Sequence, residues 1–82
     1  MFKNRSELGK NNLIGEKVKY YRLNLREKTS QRKFAEMLQI YGLDVDKNTI
    51  QRIESGARFV TDIELKVITE VLNVSYDDLL GY

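Results

Sequence analysis

The chain has 82 residues, no cysteine, no histidine and a net charge of +2. Disulfides, thiolate metal sites and imidazole acid–base chemistry are thereby excluded. A domain this small holds one thin core and no deep cavity, so the composition argues against an enzyme and for a binding module with no cofactor, no metal site and no small-molecule ligand.

Residues 1–12 are polar and weakly periodic, and read as an N-terminal tail ahead of one domain, 13–82. Asn11 and Asn12 are cap-forming residues, with Glu16 in the first turn behind them. Ile14, Val18, Tyr21 and Leu25 then recur at spacings of four, three and four, one face of a helix. Thr29-Ser30 is the next cap signal; Phe34, Ala35, Leu38 and Tyr41 follow at helical spacing, and Gly42 is a natural stop. A four-residue connection, 42–45, leads to Asp46 as the N-cap of a third helix over about 47–55, with Ile50 and Ile53 inward and Gly56 at its end. Thr61 and Glu64 form a capping box that opens a fourth helix carrying Ile63, Val67, Ile68 and Val71. Ser75 caps a last short helix that ends at Leu79-Leu80. The expectation is an all-α, compact five-helix domain.

No apolar run approaches the ~20 residues of a membrane span, and the N-terminus carries no apolar leader, so a cytoplasmic location without membrane contact is expected. The charge is unevenly distributed: residues 1–33 carry +7 and residues 34–82 carry −5. A basic half suggests a polyanionic partner, although a solvated charged surface has the same signature. Lys3, Arg5 and Lys10 suit either a minor-groove arm or a solvated tail.

The stretch from Ser30 to Arg58 holds two short helices joined by a glycine-containing turn, the helix-turn-helix signature. In that arrangement the second helix can enter the major groove of DNA, and it needs hydrogen-bonding side chains on its outer face. Lys47, Asn48, Thr49, Gln51 and Arg52 supply them. An ordinary amphipathic helix also has a polar outer face.

Three segments add specificity: Gln31-Arg32-Lys33-Phe34-Ala35-Glu36-Met37-Leu38, then Asn48-Thr49-Ile50-Gln51-Arg52-Ile53-Glu54-Ser55-Gly56, then Glu64-Leu65 through Leu72-Asn73-Val74-Ser75. Together with Ile14 to Arg22, they resemble the Cro/cI (XRE-type) repressor family of helix-turn-helix proteins, whose fold is lambda-repressor-like. The resemblance implies sequence-specific binding of double-stranded DNA by a transcriptional repressor or regulator. By position, it makes Lys47, Asn48, Thr49 and Arg52 base-reading residues and Gln31, Ser55, Gly56 and Arg58 phosphate contacts. It also implies a structural pair between Arg22 and Glu54. Ala57 departs from the lysine common in the family, and the connection from Leu23 to Ser30 is longer than usual.

One short helix reads few bases, so a homodimer on a two-fold site is expected, with Tyr76, Leu79, Leu80 and Tyr82 as the dimer surface. The alternative is an antitoxin or other protein-interaction module built on the same fold.

Overall fold

A computed structural model describes residues 9–81. The described residues form five helices: α1 (Gly15–Leu23), α2 (Gln31–Ile40), α3 (Lys47–Glu54), α4 (Asp62–Leu72) and α5 (Tyr76–Leu80). No strand is present among the described residues. Lys3, Arg5 and Tyr82, which entered the expectations for the tail and the dimer surface, lie outside the described residues.

The helix starts are set by short polar side chains that accept from otherwise orphaned amides. The Ser30 hydroxyl accepts from the Lys33 amide, Asp46 Oδ1 from Thr49, and the Thr61 hydroxyl from Glu64. Capping boxes close reciprocally at α3, α4 and α5. α1 begins differently. Its N-cap position is Ile14, which has no capping side chain. Asn12 does the work from two residues upstream, its Oδ1 accepting from the amides of Ile14 and Gly15 at 3.1 and 2.8 Å.

The stops are equally local. α2 closes around Gly42, with the Gly42 amide on the Gln39 carbonyl and the Leu43 amide on Leu38. α3 closes the same way through Gly56, whose φ of 83° is a left-handed conformation that glycine adopts without steric cost.

Phe34, Leu38, Ile50, Ile53, Ile68, Leu79 and Val18 are the largest fully buried side chains, and they form a single core. Both α2 and α3 contribute two of them each, which fixes the pair against the body. Val45, in the turn between those helices, is also buried. Gln39 Nε2 donates to the Val45 carbonyl at 2.7 Å and holds that turn in place.

Three expectations about facing are corrected. Tyr41 follows the last residue of α2 and is exposed. Ile63, placed on the inner face of α4 by spacing, lies outside at 68% exposure, while Thr69 is buried on that helix. Leu79, assigned to a dimer surface, is completely buried; α5 packs against α1 and α4, and Leu79 fills the space between them. Of the four residues expected at that surface, Tyr76 is exposed and Leu80 is half-buried.

Candidate nucleic-acid interface

α3 has eight residues, a little over two turns. Ile50, Ile53 and Glu54 face the body and are buried. Lys47, Asn48, Gln51 and Arg52 are exposed. They sit one turn apart in the pairs 47/51 and 48/52, so they form one continuous polar face. Gln51 lies between Lys47 and Asn48 around that face. The family-derived set of base-reading residues omitted it, although the 3.6-residue period alone places it there. Lys47 and Arg52 make no ion pair with any described residue.

Thr49 is placed differently. Its hydroxyl donates to Asp46 Oδ1 at 3.0 Å and is committed to the cap of its own helix. The amide and hydroxyl of Thr49 hold the Asp46 carboxyl below the usual carboxylate range. The Asp46 carboxyl thus takes the Thr49 amide and puts an acidic group at the N-terminus of α3, which disfavours a phosphate there. The chemistry that α3 offers a partner is that of its side chains: two cations and two carboxamides.

Behind this face lies a buried charged network. Arg22 Nε donates to Glu54 Oε2 at 2.7 Å, and Nη2 to Glu54 Oε1 at 3.0 Å. The third arm, Nη1, donates to the Thr29 carbonyl at 2.8 Å. The side chains are 7% and 4% exposed, so the expected pair is present and buried. Gln31 Nε2 also donates to Glu54 Oε1, at 3.0 Å. The residue that opens α2 is thereby linked to the residue that closes α3, with part of its donor capacity spent inside the protein.

The loop after α3 is largely self-satisfied. The Gly56 amide donates to Ile53, and the amides of Ala57 and Arg58 both donate to the Arg52 carbonyl. The Ser55 hydroxyl donates to that same carbonyl at 3.1 Å. Arg58 points to α4, where it forms a bidentate pair with Glu64 at 2.8 and 2.9 Å. The guanidinium holds the Glu64 carboxyl below its ordinary range. What Ser55, Gly56 and Arg58 bring together is thus a rigid corner, with the Arg58 charge largely compensated. The uncompensated cations nearest in sequence to the pair are Arg32, on the exposed side of the first turn of α2, and Lys47 and Arg52 on α3.

A shallow groove of about 320 Å³ lies elsewhere, lined by Leu13, Phe59, Val60, Leu65 and Leu80 together with Asn11, Asn12 and Ile14. Leu13 and Phe59 are 65% and 50% exposed at its edge. No helix among the described residues is long and apolar enough to cross a membrane.

The sequence matches the helix-turn-helix family over residues 18–79, more than half of the chain. No curated protein and no solved structure matches it.

Proposed function

The chain belongs to the Cro/cI-like (XRE-type) helix-turn-helix family, and from that premise we propose that it is a sequence-specific repressor or regulator that reads double-stranded DNA with the outer face of α3. The observation that carries this reading is the exposed row of Lys47, Asn48, Gln51 and Arg52 on a helix whose other face is locked into the core. Arginine and lysine match the acceptors of guanine in the major groove, and asparagine and glutamine match the donor–acceptor edge of adenine. In this reading Arg32, exposed at the start of α2, meets a phosphate; such contacts fix register without carrying sequence information.

Arg52 is the residue with the most to lose. Arg52→Ala is expected to cost about 1–3 kcal/mol on the preferred site and to relax preference at one base pair. Titration of the parent and the variant against the preferred duplex and its single-base variants checks this. An equal loss on every duplex makes Arg52 a phosphate contact instead.

A face of two turns spans few base pairs, so we propose two copies on a two-fold site with half-site centres about 34 Å apart. With Leu79 buried, the surface we assign to a second copy is the groove where the exposed side chains of Leu13 and Phe59 meet Leu80. Phe59→Gln removes apolar area from a half-exposed position and leaves the charge unchanged. It is expected to weaken cooperative binding to a two-half-site duplex and to leave single half-site binding intact. Sedimentation on the two duplexes reports the outcome; unchanged cooperativity sinks this dimer face. The alternative, an antitoxin or other protein-binding module, would use the same groove, and its partner would displace no duplex.

A further inference from the structure

The end of α3 is held from outside the helix pair, by a segment ahead of α1. The Asn11 amide donates to the Gly56 carbonyl at 2.8 Å, and Asn11 Nδ2 to Ala57 at 2.9 Å. Asn12 Nδ2 donates to Arg58 at 2.8 Å and to the Ile53 carbonyl inside the last turn of α3 at 3.1 Å. Three consecutive loop carbonyls and one helix carbonyl are thus received by two adjacent asparagines. The Lys10 stem lies across Gly56, and its amino group reaches Glu16 at 3.3 Å.

Asn12 uses both ends of its carboxamide. Its oxygen caps α1, and its nitrogen satisfies the end of α3. The two helix ends are in close approach at that point. A Cβ on Gly15 would collide with the Ile53 carbonyl oxygen and lie 2.9 Å from that of Glu54. Helix ends meet this closely only where each has its polar groups satisfied. None of residues 10–12 falls within the family match, which begins at residue 18.

We propose that Asn12 is a positioning residue for DNA recognition: by clamping the C-terminal end of α3 to the N-terminus of α1, it sets the angle at which the outer face of α3 meets the duplex. The proposal rests on the DNA-reading role of α3. An eight-residue helix is a short lever. Releasing its end moves Arg52 and Gln51, in the last turn and a half, more than Lys47, which the Asp46 cap and the Gln39–Val45 bond hold.

Asn12→Ser separates the two functions. A serine hydroxyl accepts from amides two and three residues on, as the asparagine oxygen does, and so keeps the cap on α1. It cannot donate to Ile53 and Arg58 across the gap, and it changes no charge. Thermal unfolding, amide exchange and duplex binding of parent and variant are compared. The variant is expected to fold, with core amides unchanged and the amides of Ala57 and Arg58 exchanging faster. Two lost hydrogen bonds set the scale of the affinity loss on the preferred duplex at about tenfold. Binding to a scrambled duplex, and the salt dependence, are expected to stay as they were. A loss equal on both duplexes, or one accounted for by a lower folded fraction, makes Asn12 merely structural and overturns the proposal. A parent that binds no duplex sinks the DNA reading itself. A parent that binds, with the variant binding equally well, sinks the role of Asn12 alone.

Discussion

Glu54→Ala is expected to lower the stability of the domain by about 3–5 kcal/mol, the range for removing one partner of a buried ion pair. The size follows from what is stranded. All three nitrogens of the Arg22 guanidinium are bonded at 3.0 Å or less, and two of them bond to Glu54. With the carboxylate gone, a cation 7% exposed has one carbonyl left as partner, and Gln31 Nε2 loses its acceptor. Small domains have about 5–15 kcal/mol in total, so the variant would sit near the edge of folding. Arg22→Ala alone is expected to be similarly costly. The double variant removes both charges and is expected to be much less destabilised than the sum of the two, because no unpaired charge remains buried. Urea unfolding of the four proteins measures the coupling, and a coupling near zero would show that the pair does not hold α1 to α3.

Leu79→Ala is expected to cost about 2–5 kcal/mol, the range for truncating a buried leucine. Leu79 is fully buried between α5, α1 and α4, although it stands two residues from the end of the described chain. The same substitution at a dimer surface would leave the monomer's stability within about 0.5 kcal/mol and would change its association instead. The denaturation midpoint of the monomer therefore distinguishes the two placements. An unchanged midpoint would put Leu79 back on the surface.

The contrast between Leu79 and Leu80 shows where sequence reasoning stops. α5 has five residues, barely more than one turn. A helical period cannot be read from one turn, and two adjacent leucines give no phase. Ile63 fails for a different reason: at about 100° per residue it lies off the stripe of Leu65, Ile68, Thr69 and Leu72 that faces the core, and Thr69 takes a buried place that apolarity alone would not assign to it. The caps, by contrast, were legible because they are local. Ser30, Asp46, Thr61 and Ser75 each act on an amide three residues away, and Gly42 and Gly56 stop the helices they follow. The residues of the candidate face were legible from period and chemistry together. Their couplings were not. Gln31 bonds 23 positions away, and Asn12 bonds 41 and 46 positions away. Arg58 turns to Glu64 because the α3–α4 corner brings the two together. Nothing in the types of those residues announces such partners. The Arg22–Glu54 pair is the exception: it was expected from family resemblance and is found with both side chains buried.

In the proposed function, a basic N-terminal half meets a polyanion and the outer face of α3 reads base edges, so that the chain binds duplex DNA in a sequence-dependent way. Selection of bound duplexes from a random pool, followed by titration of the winner at several salt concentrations, tests it most directly. The expected result is enrichment of a two-fold-symmetric site with half-sites about one helical turn apart, bound with an affinity that falls steadily as salt rises. A pool that shows no enriched sequence after repeated rounds, with no duplex retained even at low salt, would contradict it.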